Sequence, residues 1–145
     1  MEMTEFLTSV LSWEEMLPAV SQGAIGIQCR EDDAKSLKYL AVLNHPPTKS
    51  CVDCERAFLA ALDGNCRTPI AGQAWIEGDK LKFRGLLMKE DGSEVHEARG
   101  EGSVADAVKI GHDAGAKLKA EAPHLVDAFQ LSAEEKMLKA PVKAK

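Results

Sequence analysis

Small and apolar residues between positions 51 and 62 recur every three or four residues, which is the spacing of one face of an α-helix. The pattern predicts a helix with one buried side. Ser50 and Asp53 have the spacing of a capping box at its start. Gly64 stands where a helix often takes a left-handed final residue, and Pro69 prevents the helix from resuming. The residues on this mostly apolar face are Cys51, Cys54, Glu55, Phe58 and Leu62.

Three runs with strand-like alternation follow this helix, at 70–76, 81–87 and 94–101. Gly78-Asp79 and Asp91-Gly92 lie between them, and both dipeptides favour tight turns. The third run is the most polar, so we expect it at an edge of the sheet. The pattern therefore predicts a three-stranded antiparallel meander.

A second long helix is predicted after the strands. Ser103 and Asp106 have the spacing of another capping box, and Pro123 limits the helix at its far end. From the spacing we expect one face to be buried, made of Val104, Val108, Gly111, Gly115 and Leu118. Residues 123–145 carry scattered lysines and little apolar pattern, which predicts a flexible tail.

The first 45 residues have a weaker pattern. Residues 8–11 favour a short strand, and 12–16 a capped helical turn. Residues 23–30 alternate small and apolar side chains, which predicts a buried strand. Asp32 and Asp33 then open a helix that is expected to end in a linker at His45-Pro46-Pro47.

The predicted fold class is α+β, with a three-stranded antiparallel sheet covered on one face by helices. We expect residues 46–122 to form this compact unit and 123–145 to be the tail. Residues 1–45 then read as the strand–helix remnant of a preceding domain and its hinge.

Composition narrows the function classes. The net charge of −5 argues against nonspecific nucleic-acid binding, which needs a basic surface. No run of about 18 apolar residues is present, so we expect no membrane association, and the N-terminus lacks the pattern of a signal peptide. The four cysteines have irregular spacing, which favours reduced thiols in an intracellular protein.

Cys66 is the candidate nucleophile because the predicted turn holds it beside Arg67, and a nearby cation favours the thiolate. The structural alternative is a small buried hydrophobic residue. Cys51 and Cys54 are expected to be core thiols, with Cys66 the exposed one. A zinc site at this pair would need two further ligands at metal-site spacing, so no metal is predicted. A redox pair would follow a strand, whereas Pro46-Pro47 precedes this one.

Two stretches resemble the porphobilinogen deaminase family, also called hydroxymethylbilane synthase. The first comprises Glu55-Arg56-Ala57-Phe58-Leu59 with Leu62, Gly64, Cys66, Pro69 and Ile70. The second is LPAVSQGAIGIQCR, residues 17–30. Both occur in the family's order and separation. The similarity runs from about residue 11 to residue 122 and corresponds to the C-terminal half of the family's enzyme.

The resemblance implies an enzyme that joins four porphobilinogen units head to tail into hydroxymethylbilane and releases ammonia at each step. It implies a dipyrromethane cofactor attached as a thioether to Cys66, which primes the growing pyrrole chain. By the same resemblance Gln22, with Gly23, lies at an interdomain hinge near the cofactor. Arg30 faces the cleft that holds the acidic pyrrole side chains. Such a protein works in the bacterial cytoplasm or the plastid stroma.

The family's catalytic aspartate and most of its cleft arginines come from the N-terminal half, and no block before Leu17 matches it. No catalytic residue is therefore assigned in this chain. We expect the chain to be inactive alone and to need that missing half as a partner. The alternative is a noncatalytic α+β module that binds a partner through the surface left uncovered.

Overall fold

The computed structural model describes residues 4–65 and 68–129. Two short 3-10 turns, at Thr4–Phe6 and Val104–Asp106, accompany the main elements. Residues 123–129 form a further helix, α4. The other elements, in chain order, are α1 (Ala34–Ala41), α2 (Pro46–Ala61), β1 (Ile70–Glu77), β2 (Lys80–Met88), β3 (Val95–Ser103) and α3 (Ala107–Glu121).

The three strands form an antiparallel sheet in the order β1-β2-β3, which confirms the predicted meander and places the polar strand β3 at an edge. Leu81, Phe83 and Leu87 alternate along β2 and are buried under the helices, together with Phe58 and Leu118. The fold is therefore the predicted α+β class. No helix in the described residues is long and apolar enough to cross a membrane.

The N-cap of helix α2 lies five residues before the predicted one, Ser50. His45 is the N-cap, its ring accepting from the N–H of Thr48, and the two prolines follow at the first helical positions. Proline suits those positions because their N–H groups have no partner within the helix. Ser50 therefore lies inside the helix, and His45-Pro46-Pro47 begins a helix rather than forming a linker.

The end of α2 also differs from the prediction. The left-handed residue is Asp63, with φ 50°, whereas Gly64 does not adopt positive φ. A Cβ on Gly64 would lie 2.6 Å from Ile70 Cδ1 and 2.7 Å from Leu59 Cδ1. A glycine is thus needed at position 64 because it has no side chain, which lets α2 approach the start of β1. It is not needed there to adopt a left-handed conformation.

Helix α3 buries a face that differs in part from the predicted one. Val108 is 59% exposed, whereas Ala107 and Ala114 are buried with Gly111, Gly115 and Leu118. The capping serine Ser103 leads into the 3-10 turn Val104–Asp106, and α3 begins only after it. A 3-10 turn has about three residues per turn. It therefore shifts the phase of the helix relative to a pattern counted from Val104.

The two short strands predicted near the N-terminus were wrong. Neither 8–11 nor 23–30 is a strand, and Ile25 and Ile27 are 93% and 57% exposed. A strand needs a neighbour for its backbone groups, and the described residues place none beside either segment. Helix α1 is confirmed with Asp33 as its N-cap, although it ends at Ala41.

The packed structure continues past residue 122, where the sequence predicted a flexible tail. Leu125 and Val126 of α4 are buried and belong to the same core as Phe58 and Leu118. The prediction of a flexible tail is therefore wrong for 123–129. Residues 130–145 lie outside the described residues.

Candidate functional site

The predicted nucleophile Cys66 and its neighbour Arg67 lie outside the described residues, but both flanks of their loop are described. The N–H of Asn65 donates to Thr68 Oγ1 at 3.0 Å, and the N–H of Thr68 donates to the carbonyl oxygen of Asn65 at 3.0 Å. Before the loop, the N–H of Gly64 donates to the carbonyl oxygen of Leu59 at 3.0 Å. The chain is therefore closed on itself by hydrogen bonds across the two positions.

The far side of this loop is fixed to the sheet. The N–H of Ile70 donates to the carbonyl oxygen of Thr68 at 2.7 Å, and the N–H of Met88 donates to that of Pro69 at 3.0 Å. The loop thus connects the end of α2 directly to the first residue of β1, beside the end of β2. The described flanks of positions 66 and 67 are therefore both attached to the core.

Gln22 and Gly23 line a pocket of about 490 Å³ between the first half of α2 and the open edge of β1. Gly23 has φ 82° with nothing near the position of a Cβ, and Ser21 before it has φ 59°. Within the described residues, the Ser21 hydroxyl is buried without a hydrogen-bond partner. The pocket is lined by Ser21, Gln22, Gly23, Ala24, Pro47, Thr48, Cys51, Val52, Glu55, Gln73, Ala74 and Ile76.

Glu55 is the residue that connects this segment to the sheet. Its carboxylate is buried and accepts from the N–H of Ser21 at 2.5 Å and from the N–H of Ala74 at 2.8 Å. Burial raises the pKa of Glu55, and the two backbone hydrogen bonds oppose that rise. Sequence reasoning placed Glu55 on the buried stripe without assigning it a role. The feature of the sequence that could have indicated a role for Glu55 was a single acidic residue on an otherwise apolar helix face.

The two helix cysteines are structural. Cys54 is fully buried, and burial, followed by the nearby Glu55 carboxylate, raises the pKa of its thiol to about 12. Cys51 is partly buried at the pocket, and its thiol pKa is also raised, mainly by burial. Neither environment favours a thiolate. Within residues 4–65 and 68–129, no three His, Cys, Asp or Glu side chains are grouped as a metal site.

Arg30 is not brought to the pocket. It lies in the exposed stretch after Gly23, where its guanidinium is 3.8 Å from the equally exposed carboxylate of Asp32. The structure therefore groups Gln22 and Gly23 with Glu55, and leaves Arg30 on the surface.

Comparison with known proteins identifies two matching family profiles. Residues 49–120 match "Porphobilinogen deaminase, C-terminal domain", and residues 1–38 match "Porphobilinogen deaminase, dipyromethane cofactor binding domain". The chain belongs to the porphobilinogen deaminase family. The resemblance of the two sequence stretches to this family is thereby confirmed. Residues 39–48, which include the start of α2, lie between the two matches.

Two curated porphobilinogen deaminases show how much of the family's length this chain represents. The chloroplastic porphobilinogen deaminase of Pisum sativum is 53% identical over 125 residues, which cover 84% of this chain and 34% of that protein. The chloroplastic one of Oryza sativa subsp. japonica is 52% identical over 134 residues, covering 90% of this chain and 37% of that protein. The chain spans about a third of the length of these relatives.

The pocket beside Gln22 does not itself fit an acidic pyrrole cofactor. Among its lining residues the only charged group is the carboxylate of Glu55, and no cation lines it. Carboxylate side chains of a dipyrromethane would be repelled there. Among the described residues that were predicted to contact the cofactor, Arg30 is the one with a positive charge. Its exposed guanidinium could pair with the carboxylates of a dipyrromethane.

Proposed function

We propose that this chain supplies the C-terminal, cofactor-carrying part of a porphobilinogen deaminase and that Cys66 is the attachment residue. The observation that carries the proposal is that Asn65 and Thr68, the two described residues that flank positions 66 and 67, are hydrogen-bonded to each other, and that Pro69 is bonded to Met88. Membership of the family supports the cofactor, since the family's cofactor-binding profile matches residues 1–38, and Cys66 lies within the C-terminal-domain match at 49–120. Cys51 and Cys54 are poor alternatives because burial raises the pKa of both thiols.

The chain's own residues would share the work of holding the cofactor. The Cys66 sulfur forms the thioether, and the exposed guanidinium of Arg30 binds pyrrole carboxylates. Gln22 and Gly23 form the connection between this part and the rest of the enzyme. The dipyrromethane, when bound, supplies the pyrrole end to which porphobilinogen units are added. The reaction is the condensation of four such units into hydroxymethylbilane, with release of ammonia.

The N-terminal part of the enzyme is the proposed partner of this chain. The stretch after Gly23 carries a row of large apolar side chains that are at least 44% exposed. Several exposed large apolar side chains in one stretch are typical of a surface that another protein covers. The two chloroplastic relatives make the plastid stroma the preferred location, with the bacterial cytoplasm as the alternative. The exposed residues are Ile25, Ile27, Leu37, Tyr39, Val42 and Leu43.

The test mixes the purified chain with the N-terminal part of a related deaminase and adds porphobilinogen. Denaturing mass spectrometry of the chain should then show a dipyrromethane adduct on the peptide that contains Cys66, and hydroxymethylbilane should accumulate. The Cys66→Ser variant should lose both signals. Cys29→Ser is the matched control, because Cys29 is an exposed free cysteine of the same chain, and it should retain both.

Three results would contradict the proposal. The first is an adduct on a cysteine other than Cys66. The second is full activity of the Cys66→Ser mixture. The third is hydroxymethylbilane formation by the chain alone, because removal of one charge-stabilising group costs on the order of a hundredfold in rate and the chain alone would lack several. A chain that binds the N-terminal part tightly without acquiring an adduct would favour the noncatalytic module.

A further inference from the structure

A short turn at residues 12–16 lies on the face of the sheet that the helices leave open. The predicted capping of this turn is confirmed, since Glu15 Oε2 accepts from the N–H of Ser12 at 2.9 Å and from Ser12 Oγ at 2.8 Å. The ring of Trp13 packs on that of Trp75 with centroids 5.4 Å apart. These are the only two tryptophans in the sequence.

Arg84 of β2 holds the turn in place from the same face. Its Nη1 donates to the carbonyl oxygen of Trp13 at 2.8 Å and to Glu14 Oε2 at 3.3 Å. Its Nε and Nη2 donate to Glu97 Oε2 at 3.1 and 2.9 Å. The side chain is only 14% exposed. One guanidinium therefore joins β2, β3 and the turn through donors on three nitrogens, a planar arrangement that the single nitrogen of an ammonium group does not reproduce.

The attachment continues from the turn to the open edge of β1. The N–H of Gly72 donates to the carbonyl oxygen of Pro18 at 2.9 Å. Val20 Cγ1 lies 3.0 Å from where a Cβ on Gly72 would be, on the opposite face of the sheet from Trp13. The next contact is the hydrogen bond from Ser21 to Glu55. Residues 12–21 thus wrap around the edge of β1.

The attachments stop abruptly after Ser21. A Cβ on Gly23 would meet nothing within 4 Å, and Ile25 is almost completely exposed. The position of Gln22 and Gly23 is therefore set by the residues before them, and the first fixed point in that segment is the turn held by Arg84.

We propose that Arg84 is a positioning residue of the deaminase, an inference that rests on the proposed function. Arg84 acts through Trp13: it fixes the wrapped segment 12–21 on the sheet. It thereby sets where the connection at Gln22 and Gly23, and the N-terminal part beyond it, lies relative to the unit that carries Cys66. Arg84 itself contacts no reacting group.

The first experiment measures, in the isolated chain, whether the turn at residues 12–16 stays packed on the sheet. Two tryptophan rings this close give an exciton couplet in circular dichroism, and no other tryptophan contributes. Arg84→Ala and Arg84→Lys should both lose most of the couplet. Arg99→Ala is the matched control and should retain it. Arg99 pairs with Arg84 across the strands and binds the other oxygen of Glu97, yet among the described residues it makes no hydrogen bond to the turn.

The second experiment uses the mixture with the N-terminal part and varies the concentration of that part. The Arg84 variants should need a several-fold higher concentration for half-maximal hydroxymethylbilane formation, while the rate at saturation stays within twofold of the unmodified chain. A residue that only stabilises the fold would lower the melting temperature without changing that concentration. Arg99→Ala should match the unmodified chain.

An unchanged couplet in both Arg84 variants would overturn the inference, as would equal loss in Arg99→Ala. So would a normal half-maximal concentration in variants that have lost the couplet. If the unmodified mixture forms no adduct and no product, the proposed function fails, and the couplet still decides whether Arg84 holds the turn.

Discussion

Glu55 shows how a single side chain can take the place of a neighbouring strand at the edge of a sheet. Along the open edge of β1, the N–H groups of Gly72 and Ala74 are bonded by the carbonyl oxygen of Pro18 and by the Glu55 carboxylate. Unpaired backbone groups at a buried edge are costly, so these acceptors stabilise the strand. The cost is a buried carboxylate with a raised pKa.

Replacement of this carboxylate is the first residue-scale prediction. Glu55→Gln should destabilise the chain by about 1–3 kcal/mol at neutral pH, because the amide offers one acceptor oxygen to two N–H donors. Folding raises the pKa of Glu55, so the folded state binds the proton more tightly than the unfolded state does. The unmodified chain therefore gains stability relative to the variant as the pH falls through that raised pKa.

Urea denaturation of both chains across the acid-to-neutral range measures this difference. Glu101→Gln, at an exposed carboxylate paired with Lys80, is the control and should change stability by less than about 0.5 kcal/mol. If the stability difference between the unmodified chain and Glu55→Gln narrows on acidification, folding does not raise the pKa of Glu55.

At the scale of elements, α2 and α3 approach each other closely at two glycines of α3. A Cβ on Gly111 would lie 1.9 Å from the carbonyl oxygen of Cys54, and one on Gly115 would lie 2.8 Å from that of Phe58. Two backbones can approach this closely only where a side chain is missing. The glycines thus set the distance between the helices that cover the sheet and support the loop before β1.

Gly111→Ala tests this contact. Alanine is favoured over glycine in a helix by about 1 kcal/mol, so a loosely packed position would be stabilised. Here we expect destabilisation of at least about 1–3 kcal/mol, because the methyl group collides with backbone that cannot move aside. Val108→Ala, on the exposed side of the same helix, should stay within about 0.5 kcal/mol. Thermal unfolding of the three chains gives the comparison, and a more stable Gly111→Ala chain would show that the helices can separate freely.

The elements differ in how far local sequence could predict them. The helix α2 and the strands β1 to β3 were predicted because their periodicity and turns lie within the element itself. The strand at 23–30 was predicted on the same kind of evidence and was wrong, since pairing requires a neighbour that alternation cannot supply. The buried face of α3 was shifted because the 3-10 turn before it changed the helical phase.

At the scale of the whole molecule, packing is unequal along the chain. Hydrogen exchange should show protection concentrated in 50–62, 70–100 and 104–120, where the core lies, and fast exchange in 24–43. Within the first 45 residues, the amide of Ser21 should be protected because it donates to Glu55, whereas the amide of the exposed residue Ile25 should exchange freely. Mass-spectrometric exchange on the isolated chain measures this, and equal protection in 24–43 would refute the expected weak packing of that stretch.

The sequence alone determined the family, the α+β class, the meander and the helix face of Cys54, Phe58 and Leu62. All of these depend on motifs or on periodicity among residues that are close together in the sequence. The candidate residues Cys66, Gln22, Gly23 and Arg30 also came from the motifs, and their roles stay predictions.

Only the tertiary structure revealed what holds the site together. The hydrogen bond from Ser21 to Glu55 joins residues 34 positions apart, and that from Arg84 to Trp13 joins residues 71 positions apart. No local pattern encodes such pairs, because their geometry exists only after the sheet and helices have packed. The same reason explains why the sequence pattern predicted that Ile25 is buried, whereas it is exposed in the fold. The alternation of apolar residues shows which side chains are suited to burial, but burial itself requires a neighbouring element that packs against them.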